Sequence, residues 1–186
     1  MKTHVNKSPF SNLLQKKHYI LWLVYGLSTL LVLLLQSAPR FFPSVFSARP
    51  APLTVFVICV AVLGGARTGA TIGAFAGLLW GVFSFRLFGF DALLLMLFGL
   101  VAGLLVEWFL RANFFTALLL SSCGVLLHVL LEWLICYVLL GKENLGEILF
   151  RALLPNGIYT ILLTPLIYGF SLLLARFVRR QVNGKL

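Results

Sequence analysis

The chain has 186 residues, of which 61% are hydrophobic and only 11% charged, and it carries a formal net charge of +10. A water-soluble domain needs roughly a quarter of its residues charged to cover its surface, so the solvent here is lipid. In a bilayer core every unpaired backbone group costs several kcal/mol, which leaves helices or closed barrels; runs such as Leu27 to Leu35 lack the alternation of a barrel strand, so helices are expected.

A basic N-terminal segment (residues 1–18, with Lys2, Lys7, Lys16 and Lys17) leads into the first apolar segment, Tyr19 to Gln36. That segment is too long for a signal-peptide core and no small-x-small cleavage site follows it, so it reads as a retained helix. The connection Ser37 to Pro52 holds Pro39, Pro43, Pro50 and Pro52 together with Phe41, Phe42 and Phe46. Proline excludes a regular helix there, and phenylalanine favours the lipid interface over water. Two roles fit this loop: lying on the outer leaflet, or docking an extracytoplasmic partner through the three phenylalanines.

Two short apolar segments come next, Leu53 to Gly64 and Gly69 to Phe85, separated by the Gly64-Gly65-Ala66-Arg67-Thr68-Gly69 break. As one helix they would run roughly 50 Å, well beyond a bilayer. Gly65, Gly69, Gly73, Gly77 and Gly81 recur at every fourth position, with Ala66, Ala70 and Ala74 beside them. Positions four apart form one ridge of a helix, so here the ridge is missing and a groove replaces it. Lipid tails fill such a groove poorly, whereas a second helix backbone enters it, with crossings near −40° favoured. The occupant is either another helix of this bundle or a helix of a partner protein.

The fourth segment, Ala92 to Leu110, carries Gly99 and Gly103, the same device on a smaller scale, and ends in Glu107 and Arg111, spaced for an interfacial ion pair. The fifth, Phe114 to Leu140, places His128 and Glu132 one turn apart on one face, well inside the apolar run. Ionisable groups at that depth cost at least about 2.5 kcal/mol and face the bundle or water. They form either a buried polar pair clamping helices together, or part of a ligand site or proton path. The last segment, Ile158 to Phe177, contains Pro165, which frees one carbonyl and is expected to kink the helix, with Thr160 and Thr164 near enough to absorb it. A basic tail, residues 178–186, closes a single integral membrane domain spanning residues 1–186.

Six spans give an all-α polytopic bundle. Lys and Arg then divide ten on the side of both termini (with Arg67 and Arg111) against five on the other (Arg40, Arg49, Arg86, Lys142 and Arg151). The excess places both termini in the cytoplasm. Basic ends beside anionic lipid, each stabilised by about 1 kcal/mol, account for the net charge without a nucleic-acid partner.

Catalysis is not expected. His128 shares its helix with Ser121 and Ser122, and neither serine lies in a GxSx-type frame. One histidine and one glutamate do not make a metal site. No Walker loop or dinucleotide fingerprint is present, so no catalytic residue, metal or cofactor is assigned. Cys59, Cys123 and Cys136 sit in apolar runs and read as small buried hydrophobes.

The order of these features resembles the bacterial rod shape-determining protein MreD family. The resemblance rests on a first helix ending in Leu34-Leu35-Gln36, the Pro-rich loop, the Gly69-Ala-Thr-Ile-Gly73-Ala-Phe-Ala-Gly77 stretch, Gly89, the Leu-rich helix with Gly99 and Gly103, and the closing Leu154-Pro155 and Pro165-Leu-Ile-Tyr168. It covers roughly Ile20 to Arg180. One departure is Gly81, where family members often carry an aspartate. The resemblance implies a non-catalytic inner-membrane scaffold of the cell-wall elongation machinery, required for rod shape and lateral peptidoglycan synthesis. It also implies work beside a bitopic MreC-like protein, MreB, RodA and a class B penicillin-binding protein. The family fold is similar to the S components of energy-coupling-factor transporters, which supplies the alternative, a vitamin-binding subunit. That alternative expects a polar pocket in the outer half, where Trp80, Glu132, Trp133 and Tyr137 are the available groups.

Overall fold

The structure, a computed structural model, describes residues 9–37, 52–84, 89–135 and 154–183. Among the described residues there are six helices: α1 (Pro9–Ser37), α2 (Pro52–Gly64), α3 (Ala66–Ser84), α4 (Phe90–Trp108), α5 (Phe114–Trp133) and α6 (Leu154–Asn183). Three segments are long and apolar enough to cross a membrane: Phe90–Trp108, Phe114–Trp133 and Gly157–Val178. The helix α1 begins well before the apolar segment, at Pro9. Proline is preorganised for a first helical position, and Gln15, Lys16 and Lys17 are good helix formers outside lipid as well as within it.

The helix α2 lies at the centre and packs on α1, α3, α4, α5 and α6. From Leu53 to Val62 no residue is more than 3% exposed. Its sequence explains this position. It carries no charge and Thr54 is its one hydroxyl, so it is apolar all round and has no face suited to water. With 13 residues it is also short, about 20 Å at 1.5 Å per residue, less than a hydrocarbon core of about 30 Å. Its first turn is capped from a neighbour, because the Leu53 N–H donates to the Gln36 Oε1 of α1 at 3.1 Å. One of the orphan donors of a helix start is thereby satisfied, and the end of α1 is tied to the beginning of α2.

Three buried hydroxyls elsewhere are satisfied within their own helices. Thr29 donates to the Tyr25 carbonyl at 2.7 Å, Ser171 to Ile167 at 2.9 Å and Thr164 to Thr160 at 3.4 Å. Such back-bonding lets a polar residue sit in an apolar helix without a partner from another element. Pro165, next to Thr164, is exposed, and α6 continues through it to Asn183. The outer faces present leucine: Leu23 is 67% exposed and Leu162 and Leu166 are each 71% exposed. In water that surface would aggregate, whereas against acyl chains it costs nothing.

Candidate functional site: the glycine seam and its ends

The seam starts at the turn between α2 and α3. Gly65 has φ +85°, a left-handed conformation that glycine adopts without steric cost. Helical hydrogen bonds flank it on both sides, from Gly65 N–H to Ala61 O at 2.9 Å and from Gly69 N–H to Gly65 O at 3.0 Å. The single reversed residue turns the chain sharply, and a Cβ placed on Gly69 would overlap Ala61 of the preceding helix.

Beyond the turn, α3 runs antiparallel to α4 in the most extensive helix pairing of the molecule. The register is fixed by glycine. A Cβ on Gly69 would lie 2.6 Å from the Gly99 carbonyl oxygen, one on Gly73 would overlap the Leu95 carbonyl, and one on Gly77 would overlap Ala92 and the Asp91 carbonyl. From the other side, a Cβ on Gly99 would meet the Gly69 carbonyl, and one on Gly103 would meet Ala66. Each helix therefore inserts its main chain where the other lacks a side chain. The close contact with α4 ends before Gly81, where among the described residues a Cβ would find only the Gly89 amide nitrogen, 3.9 Å away. The stripe thus divides into a turn residue (Gly65), three positions of backbone contact (Gly69, Gly73, Gly77) and one with room to spare (Gly81). It is occupied from within the chain, by α4.

At one end of the seam the Glu107 carboxylate of α4 accepts a hydrogen bond from the Ala66 N–H, the first residue of α3, at 2.8 Å. A carboxylate at a helix N-terminus satisfies an orphan donor and meets the positive end of the helix dipole. Glu107 was expected to pair with Arg111 one turn along its own helix; its partner is instead the start of α3, because the Gly103–Ala66 approach brings the two within reach. At the opposite end Gly89, with φ +91°, precedes α4, and Asp91 in the first turn of α4 is 3% exposed.

His128 and Glu132 lie on α5, away from the seam, and both are half-buried rather than buried. The His128 Nδ1 lies 3.4 Å from the Thr54 hydroxyl of α2, and its ring stands 6.0 Å from that of Phe98 on α4. His128 thus touches two other helices, the geometry of an interhelical clamp. Interhelical hydrogen bonds in membranes are worth about 0.6 kcal/mol on average. His128→Leu is accordingly expected to lower the unfolding free energy in detergent by about 1 kcal/mol or less and to leave abundance and cell shape unchanged. Loss of rod shape at normal abundance would show that the histidine does more than hold α5 to α2.

Phe41, Phe42 and Phe46 lie outside the described residues, as do Tyr137 and Cys136. Trp80 and Trp133 are half-buried. Cys59 is buried as expected, with Sγ 4.0 Å from the Ser121 hydroxyl, whereas Cys123 is exposed because its face of α5 is turned outward. Among the described residues no group of three or more His, Cys, Asp or Glu is placed to hold a metal.

The residues that complete the seam, Ala61, Ala66, Ala92 and Leu95, carry no chemical signature of their own. Ala66 belongs to the small-residue row that sequence picks out; the others become visible only once the register is known. Gln36 caps the helix that follows its own and Glu107 the helix that precedes its own, each across a sequence gap that no local pattern spans.

No curated protein and no solved structure matches the chain. The family model described as rod shape-determining protein MreD does match, over residues 16–174, a span that includes α2 to α5 whole and most of α1 and α6. A membrane protein with this extent of agreement belongs to the rod shape-determining protein MreD family, and its role lies in determining cell shape.

Proposed function

We propose that the chain is a non-catalytic scaffold of the cell-wall elongation machinery, a single six-span domain of the bacterial inner membrane with both termini in the cytoplasm. Through helix and loop contacts it holds a bitopic MreC-like partner and, with it, MreB, RodA and a class B penicillin-binding protein. The observation that supports this reading best is the filled centre. A vitamin-binding S component keeps a closed polar pocket for its ligand, whereas here the middle of the bundle is α2, an apolar helix with every side chain from Leu53 to Val62 buried. The seam supports it in a second way. With α3 and α4 locked backbone to backbone, the pair offers a rigid platform, and the groove is taken. Partners then meet outward surfaces, of which the aromatic end around Trp108, Phe109 and Phe115 is the most exposed, at 76%, 80% and 79%. Phe41, Phe42 and Phe46 of the Pro-rich loop remain the proposed contact on the other side of the membrane.

Crosslinking in native membranes followed by isolation of the chain tests the proposal. Recovery of an MreC-like or penicillin-binding protein is expected, together with loss of rod shape on depletion. Recovery of transporter ATPase subunits, with shape unaffected by depletion, would overturn it in favour of vitamin uptake.

A further inference from the structure

The helices α4 and α5 are joined by the short connection 109–113, yet they pack on α2 and scarcely on each other. A furrow separates them. Its deeper part, about 150 Å³, has Ile58 of α2 and Gly124 of α5 in its floor and Phe98, Leu105, Cys123 and Leu127 along its sides. Gly124 keeps the furrow deep, since a Cβ there would press on the tip of Ile58. A second hollow of about 210 Å³ shares Val101 and Leu105 with the first and continues along α4 to Trp108 and Phe109. The two form one apolar track leading to the α4–α5 turn.

At the end of that track the charge is positive. Arg111 stands in the turn and is exposed. The Glu107 carboxylate is turned to the α3 side of α4, where it accepts the Ala66 N–H, while Arg111 lies in the turn between the two helices that flank the furrow. Size and charge together select an occupant. Each hollow is smaller than a drug-sized ligand needs, about 300 Å³ or more. A single hydrocarbon chain fits. An apolar track that ends at Trp108, the last residue of an apolar span, with an arginine in the turn after it, matches the cross-section of one phospholipid.

We propose that the α4–α5 furrow is a binding site for an anionic phospholipid, one acyl chain lying from Gly124 to Trp108 and the phosphate beside Arg111. The lipid fills the space that α4 and α5 leave open and completes the packing around α2. The site shares Trp108 and Phe109 with the aromatic end offered to protein partners, and it is tested without any partner present.

The full-length chain is reconstituted in phosphatidylcholine vesicles, and Trp108 fluorescence, isolated by difference from Trp108→Phe, is quenched with brominated phosphatidylglycerol or brominated phosphatidylcholine. Brominated phosphatidylglycerol is expected to reach half-maximal quenching at about fivefold lower mole fraction, the ratio given by about 1 kcal/mol for one basic residue near anionic lipid. Arg111→Gln, at an exposed position, is expected to abolish the preference while leaving the unfolding temperature unchanged. Cys123→Phe, which fills the furrow, is expected to remove the saturable component for both lipids. Equal quenching by the two lipids would overturn the proposal, leaving only ordinary boundary lipid. So would a preference that survives Arg111→Gln, or disulfide-linked dimers through Cys123 in the vesicles, which would put a second copy of the chain on this face.

Discussion

Replacing Gly73 with leucine is expected to separate α3 from α4 and to cost about 3 kcal/mol or more, beyond the usual range for overpacking. The reason lies in what the new side chain meets. At most core positions an added group pushes on neighbouring side chains, which rotate. At Gly73 the first added carbon already overlaps the Leu95 carbonyl, and the Cα of Met96 stands 3.0 Å off. Main chain held in a helix has no rotamer to adopt, so the two helices must move apart along the whole seam. Contacts at Gly69–Gly99 and Ala66–Gly103 loosen with them, and close-packed dispersion falls off steeply with separation. Even Gly73→Ala is expected to cost 1–3 kcal/mol, in the order of other overpacked substitutions, whereas Gly81→Ala should be neutral or stabilise by up to about 1 kcal/mol. There the nearest atom to a new Cβ among the described residues is 3.9 Å away, and alanine is the better helix former. Unfolding of the purified variants in detergent, with membrane abundance and rod-shape complementation in cells, checks the contrast. If Gly73→Ala and Gly81→Ala proved equally stable, the backbone-to-backbone seam would not be what holds α3 on α4.

The contrast between Gly73 and Gly81 also marks how far sequence carries. The fourfold spacing identifies the face of α3 that must meet another backbone, and the break at Gly64–Gly69 locates the turn, because both follow from local geometry: missing Cβ atoms and a residue free to take positive φ. The start of α5 at Phe114 follows equally from hydropathy, and the limits of α4, Phe90 and Trp108, fall two residues before the expected Ala92 and Leu110. What sequence does not reveal is which helix fills the groove, how far along it the contact extends, or which helix lies at the centre. In a soluble protein the polar face of each helix points outward and betrays its orientation. Here Leu166 on the lipid side and Leu95 in the core, 71% and 1% exposed, are the same residue type, so burial leaves no mark in the pattern. For the same reason Cys123 looked like a buried residue and is an exposed one. Glu107 is a clearer case. An acid four residues before an arginine signals an ion pair on its own helix, yet a helix start a long way back in the chain, Ala66, offers an unsatisfied N–H within 2.8 Å and takes the carboxylate.

That hydrogen bond couples two residues whose effects would otherwise add. Glu107→Ala leaves the Ala66 N–H without its acceptor and the start of α3 without a negative charge, which is expected to cost about 1 kcal/mol at an exposed helix end. Gly65→Ala forces a side-chain-bearing residue into φ +85°, expected to cost about 1–2 kcal/mol on backbone grounds alone. It does more, because the new Cβ would lie 2.6 Å from the Glu107 Oε1 and push the carboxylate off Ala66. Gly65→Ala in the native background thus includes the loss of the cap, and in the Glu107→Ala background it does not. The double variant is expected to be destabilised by about 1 kcal/mol less than the sum of the single ones, a coupling of the size found between residues in contact. Unfolding free energies of the four proteins in one detergent provide the cycle. Strict additivity would mean that the carboxylate moves aside without losing its bond, and that the turn and the cap act separately. A positive coupling would place the α2–α3 reversal and the α4 terminus in one structural unit, the end of the seam at which Arg67 and Arg111 are held.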